Sequence, residues 1–274
     1  MRFHELHGKN IQFDEQRLAA TRFNSFTHAM IFSERPLYPG ELFLVEIEDI
    51  TDSWTGNIKI GLTCLSPNEI LSQCTQEILY DDIFHITIPS RPVTQYTCTC
   101  GLYRPLFNFG SPDDYIHTPF DSIRRQSIEP VQKSNDSSTS TCPTNIGSRI
   151  GIIYALKQQS IHMHCILNGF DYGPFTVLNI GSSTTENNEI ILPSKKHQAT
   201  YMKSKKSINK YTKFWAFVDV YGATKKVRII QLYGPSPLKH LCRLKILSNL
   251  KSNDLIDTIF LNSRLQSYLK FYIA

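Results

Sequence analysis

From residue 1 to about 233, short runs of alternating apolar and polar positions are divided by turn residues, which is the pattern of half-buried strands rather than helices. In ELFLVEI (41–47), Phe43, Val45 and Ile47 share one face and Glu46 takes the other. In NIKIGLTC (57–64), Ile58, Ile60, Leu62 and Cys64 line one face against Lys59 and Thr63. SIHMHCIL (160–167) runs into Asn168-Gly169, a dipeptide that favours a tight hairpin turn. FWAFVDV (214–220) and VRIIQL (227–232) flank YGATKK, which reads as a second hairpin. Many short strands with no helical period between them predict a mainly β, two-sheet sandwich over 1–233.

Two stretches break the rhythm. Residues 121–147 are rich in Ser, Thr, Asn and Pro, and burial there cannot offset the entropy of ordering, so a long flexible insertion is expected. Residues 182–210 form a similar, more basic insertion.

After Gly234 the period changes. Ser236 suits an N-cap and Pro237 the first helical turn, and Leu238, Leu241, Cys242 and Ile246 then share one helical face. KSNDL interrupts that helix, with Asn253 or Asp254 able to cap a second. Ser263 can cap a third, in which Leu265, Tyr268 and Leu269 share a face. Some 40 residues in three short amphipathic helices bury little by themselves, so the tail, 236–274, needs a partner.

Composition narrows the class. Of 274 residues, 41% are hydrophobic and 19% charged, which suits a globular chain. No apolar run approaches the roughly 20 residues of a membrane span, and MRFHELHGKN lacks the apolar stretch of a signal peptide. A cytoplasmic location is expected. Seven scattered cysteines do not make a disulfide framework, and a reducing compartment fits them better. Cys98-x-Cys100 and His162-x-His164-Cys165 lack the paired spacing of a structural zinc site, so neither metal nor cofactor is expected. The net charge of +5 is concentrated among the lysines between Lys195 and Lys213. No nucleic-acid recognition motif accompanies them, so a solvated loop is the stronger reading there. Nucleophile elbows, phosphate-binding loops and zinc-protease pairs are missing from the sequence, and His4, His7 and Asp14 make no supported triad. No catalytic residue is expected.

The segments FHELHGKNI (3–11), LAATRFNSFTHAMIFSERPLYPGELFLVEI (18–47), WTGNIKIGLT (54–63), ILNGFDYGP (166–174) and FVDVYGATKKVRIIQL (217–232) resemble the Neuralized homology repeat, in the right order. That resemblance implies an antiparallel, SPRY-like β-sandwich. The tail resembles a three-helix SOCS box, since PLKHLCRLKI (237–246) fills the elongin-binding pattern. It implies binding of elongin C, with elongin B, through Pro237, Leu238, Leu241, Cys242 and Ile246. IFLNSRLQSYL (259–269) resembles the cullin box, which implies a cullin contact through Ile259, Leu261, Leu265, Tyr268 and Leu269. Phe260 and Asn262 stand where that box has prolines, although the family pattern favours cullin 5 with its RING subunit. The implied function is a non-catalytic substrate-recognition subunit of a ubiquitin ligase. The competing reading is a Neuralized-type module that binds protein or phospholipid outside any ligase, with the tail packed on it. Arg22, Arg35 and Tyr38 are the candidate substrate contacts, with a buried ion-pair partner as the alternative for Arg22, whereas Trp54 reads as a core anchor.

Overall fold

The computed structural model describes residues 1–25, 27–51, 58–72, 83–88, 113–118, 120–130, 144–157, 159–180, 208–209 and 211–233. In the tail it describes 242, 245–246, 249–250, 256, 258, 260–262, 265–266 and 269. The strands are β1 (Ile11–Phe13), β2 (Ala19–Arg22), β3 (Met30–Phe32), β4 (Phe43–Ile50), β5 (Lys59–Thr63), β6 (Ile83–Thr87), β7 (Tyr115–His117), β8 (Ser122–Arg124), β9 (Arg149–Lys157), β10 (Ser160–Leu167), β11 (Phe170–Asn179), β12 (Trp215–Asp219) and β13 (Thr224–Ile229). One short helix, α1 (Pro67–Ser72), follows β5.

The strands pair antiparallel throughout. One sheet runs β1-β2-β13-β4-β9-β10-β11, a second runs β3-β12-β5-β6, and β7 and β8 form a separate ribbon. The main core lies between the two larger sheets. Phe43, Val45, Ile152 and Met163 from the first meet Ile60, Leu62 and Val218 from the second. The alternation in 41–47 therefore places its expected face inward, while Glu46 lies on the other side and pairs with Arg149 at 2.9 Å. Asn168 (φ 49°) and Gly169 (φ 86°) close the β10–β11 hairpin with positive φ at both turn positions.

Both sheets are also covered on their outer faces, and here the structure departs from the sequence reading. Thr63, expected on the polar face of its strand, is fully buried. On the outer side of the smaller sheet Phe32 and Phe217 pack with Ile70 of α1. A capping box starts that helix: Glu69 N–H donates to Ser66 Oγ at 3.3 Å and Ser66 N–H to Glu69 Oε2 at 2.7 Å. On the outer side of the larger sheet, Ile116 of β7, Ile123 of β8 and Ile128 cover Leu42, Leu44, Ile153 and Ile166. Residues 121–130 are thus an ordered lid, with a 3-10 turn at Arg125–Ser127, and not the start of a flexible insertion. Two isoleucines suffice to anchor it, because each removes a whole side chain from water onto a preformed apolar face. Residues 131–143 lie outside the described set, as does nearly all of 182–210. Ile208, at the end of that second stretch, is buried in the main core.

The expected YGATKK hairpin is not one. β12 belongs to the smaller sheet and β13 to the larger, so Val220–Ala223 carries the chain across the sandwich. Inward-facing Val218 and Val227 serve the same core from opposite sides, a placement that periodicity alone cannot distinguish from a hairpin. Trp54 lies outside the described residues. No helix among the described residues is long and apolar enough to cross a membrane.

Candidate functional site

The register of the larger sheet sorts the candidate residues into two ends. β4 starts beside the exit of β13, where Ile230 N–H donates to Leu44 O at 3.0 Å, and ends at Ile50 opposite Thr224. Eight strand residues at about 3.3 Å each separate these ends by roughly 25 Å.

Arg22 lies at the Thr224 end and is buried. Its guanidinium donates to Gly222 O at 2.5 Å, Thr224 O at 3.1 Å and Asn24 O at 3.3 Å. It braces the crossover between β12 and β13, and Gly222 with φ 63° makes the bend. Asp219 shares this region. Burial pushes its carboxyl up to about 6, against the opposing pull of Lys59 and Arg22. Arg22 is therefore committed to the fold and not presented to a partner.

Arg35 and Tyr38 lie at the opposite end. The Arg35 guanidinium grips the Glu41 carboxylate with two hydrogen bonds, at 2.6 and 2.8 Å, and donates to Pro36 O at 2.9 Å. It also covers the Tyr38 ring at 4.8 Å. Tyr38 stacks on Phe120 at 5.7 Å, and Phe120 meets Tyr233 edge-on at 4.8 Å. Leu42 N–H donates to the Tyr233 hydroxyl at 2.8 Å, and Gln231 exchanges hydrogen bonds with the Met1 backbone at 2.7 and 3.1 Å. The cavity enclosed by Met1, Arg35, Glu41, Phe120 and Tyr233 measures about 90 Å³. Small-molecule sites run to about 300–1,000 Å³, so this cavity takes at most a side chain or a few waters. The cluster clasps the start of the chain to the segment that leads into the tail. Glu41, Phe120, Gln231 and Tyr233 were missed by the sequence reading. Their signals, a carboxylate and three ring or amide side chains beside apolar runs, do not stand out from ordinary strand ends.

His162 and His164 lie on the side of β10 away from the main core, where His164 is buried. His164 Nδ1 lies 3.0 Å from both oxygens of Asp171, and Asp171 also accepts Gly173 N–H at 2.9 Å. Burial, helped by Lys157, lowers His162 to about 4. Cys165 points the other way into the core, where burial pushes its thiol up to about 12, the signature of an inert buried cysteine. Among the described residues no three His, Cys, Asp or Glu side chains converge as metal ligands, and Cys98 and Cys100 lie outside that set. His4, His7 and Asp14 take separate local roles: His4 accepts Leu6 N–H, His7 packs edge-on against Phe13, and Asp14 accepts Leu18 N–H.

In the tail, Cys242, Lys245, Ile246, Asn249, Leu265, Gln266 and Leu269 are helical, with 3-10 geometry at Ile256 and Thr258. The number and limits of the helices fall on residues outside the described set. So do Pro237, Leu238, Leu241, Ile259 and Tyr268. Cys242 is exposed and Ile246 is 38% exposed. Leu265 is 47% exposed and Leu261 half-buried. Leu269, expected to face a cullin, is instead only 4% exposed, and Ile256 is fully buried. Asn262 Oδ1 accepts Leu265 N–H at 2.9 Å and its backbone oxygen accepts Gln266 N–H at 3.0 Å, the geometry of a helix cap, while Ser263, the expected cap, lies outside the described residues.

Comparisons with known proteins give these parts their relatives. The Neuralized family model matches residues 3–231, and the SOCS box model matches 234–270. Neuralized-like protein 2 of Mus musculus is 29% identical over 304 residues, covering 98% of this chain and 91% of the relative. E3 ubiquitin-protein ligase NEURL3 of Rattus norvegicus is 30% identical over 76 residues, 28% of this chain and 30% of the relative. The crystal structure of the Drosophila melanogaster neuralized-NHR1 domain superposes with a TM-score of 0.44 at 16% identity, covering 84% of this chain and 97% of that one. With most of its length matched by the first model and its tail by the second, the chain belongs to the Neuralized family and carries a SOCS box behind the repeat.

Proposed function

We propose that this protein is the substrate-recognition subunit of an elongin B/C–cullin–RING ubiquitin ligase. The sandwich binds the target, and the tail docks on elongin C through Pro237, Leu238, Leu241, Cys242 and Ile246. The observation that carries the reading is the order of the two matches, a Neuralized repeat over 3–231 followed directly by a SOCS box over 234–270. The exposure of Cys242 and Ile246 supports it, because apolar side chains on a helix with little core of its own call for a covering partner. A cullin, cullin 5 by the family pattern, and its RING subunit complete the assembly. Catalysis then resides in the RING-bound conjugating enzyme, and this chain raises the target lysine's effective concentration. A cytoplasmic location belongs to the same proposal, and the buried thiol of Cys165 suits a reducing compartment.

The clasp at Arg35, Glu41 and Tyr233 occupies the end from which the tail leaves, so the target site belongs to the opposite end. Phe23 is exposed in the loop there, and Ile146 is exposed in the turn before β9. Tagged full-length chain and a chain ending at residue 235, each purified from cells and examined by mass spectrometry, test the assignment. Elongin B/C accompanies only the full-length form, and equal recovery with both would refute it.

A further inference from the structure

We propose that Ser127 is a phosphorylation site for a basic-directed serine/threonine kinase, and that its modification releases the lid from the outer face of the larger sheet. The inference stands apart from the adaptor reading and does not rest on it. Arg124-Arg125-Gln126-Ser127-Ile128 sets two guanidinium groups just before a hydroxyl and an apolar side chain just after it. Acidic subsites and an apolar pocket on either side of a kinase's catalytic base take such a segment. The match is short, and its place in the fold gives it weight. Arg124 ends β8 with extended backbone (φ −67°, ψ 130°) and is exposed. Arg125–Ser127 form the 3-10 turn, closed by Ile128 N–H and Glu129 N–H on Arg125 O at 2.9 and 3.3 Å. Ser127 is half-buried, and Ile128 beside it is fully buried against the apolar face that holds Leu42, Leu44, Ile153 and Ile166. The acceptor hydroxyl therefore adjoins one of the two isoleucines that anchor the lid.

A kinase cleft takes its substrate as an extended chain, so the turn must unwind and Ile128 must leave its seat. The ties to be broken are local. Arg149 Nη1 donates to Gln126 O at 2.9 Å, and Arg125 donates through Nε to Asp113 O and through its backbone to Asp114 O, each at 2.9 Å. Ile123 and the β7–β8 pairing can stay in place. Ser127 Oγ then attacks the γ-phosphorus of ATP, its proton passes to the kinase's catalytic carboxylate, the bond from that phosphorus to the bridging oxygen breaks, and ADP leaves. The product carries a charge of about −1.5 to −2. Reseating the lid would carry that charge into a half-dry position between Ile128 and the outer face, next to Glu129. Arg149, the guanidinium that reaches this segment, is already held by Glu46 through Nε and Nη2 at 2.9 Å, so a phosphate there has to compete with a carboxylate. In the open lid the phosphate stays hydrated and pairs with Arg124 and Arg125 of its own segment, which favours the open state.

The test incubates the full chain with the catalytic subunit of cAMP-dependent protein kinase and magnesium ATP, locates phosphate by mass spectrometry, and compares amide exchange before and after. Phosphate appears on Ser127, and Arg124→Gln, a change at an exposed side chain, slows its transfer by about tenfold or more. In the phosphorylated chain the amides of Ile128 and Glu129 exchange about tenfold faster or more, whereas Ser127→Ala treated in the same way keeps its slow exchange. Absence of phosphate from Ser127, equal transfer to Arg124→Gln, or exchange at Ile128 and Glu129 that is unchanged or slower after modification would overturn the proposal.

Discussion

Asp219 is a carboxylic acid that the fold holds against its preference for ionisation. Burial raises its pKa from 3.8 to about 6, so the folded state favours the protonated form more than the unfolded state does. The sign follows from linkage. Its contribution is most favourable below about 4, shrinks as pH rises toward 6, and above that leaves a deficit of up to about 3 kcal/mol. Asp219→Asn therefore gains stability relative to the wild type as pH rises from 4 to 6.5, readable as urea midpoints at the two ends. A difference that stays constant across that range would show that Asp219 does not titrate in this way. Glu41 is a second buried acidic residue, held by the partly exposed Arg35 and by Tyr38 N–H at 2.9 Å. Removing it in Glu41→Ala strands these donors, and solvent at Arg35 moderates the loss to about 1–3 kcal/mol by urea unfolding. Little of this was legible in the sequence: Arg22 could be read as a buried ion-pair partner, but Arg35 and Tyr38 look like surface chemistry until their hydrogen bonds are seen. The fold uses all three within itself.

At the scale of elements, strand identity was legible and strand partnership was not. Alternation located β4, β5 and β10, and Asn168-Gly169 located a hairpin, because these signals are local. The β12–β13 crossover and the lid over the outer face depend on which sheet a strand joins, and that is decided by residues far apart in the chain. The lid was hidden by its polar surroundings, since Ile123 and Ile128 stand almost alone among Ser, Arg, Gln and Glu. Ile128→Ser destabilises the sandwich by about 2–4 kcal/mol, combining lost burial with a buried hydroxyl, as chemical denaturation measures. An effect below about 0.5 kcal/mol would mean that the lid does not pack as described. In the tail, Asn262→Ala removes a helix cap and costs about 0.5–2 kcal/mol of local stability, visible as faster amide exchange at Leu265 and Gln266.

For the whole molecule, the sequence distinguished sandwich from tail because the period changes from two to about 3.6 near Gly234. It did not show how the parts are joined. The clasp of Met1, Arg35, Glu41, Phe120 and Tyr233 secures the sandwich where the tail departs, and about 25 Å of β4 separates that end from the Thr224 end, where the Phe23 loop lies. On the proposed adaptor reading, recognition and recruitment are thereby separable. Phe23→Ser leaves stability within about 0.5 kcal/mol and elongin binding intact, and reduces only the recovery of target proteins in quantitative pull-downs. The most direct test of the central claim is a calorimetric titration of the full chain with purified elongin B/C, run beside Leu238→Ser/Cys242→Glu. The wild type binds one equivalent, and the double variant, having lost on the order of 3–5 kcal/mol at the interface, shows no measurable heat while its sandwich unfolds at the same urea midpoint. Equal binding by the two proteins, or none by the wild type, contradicts the account.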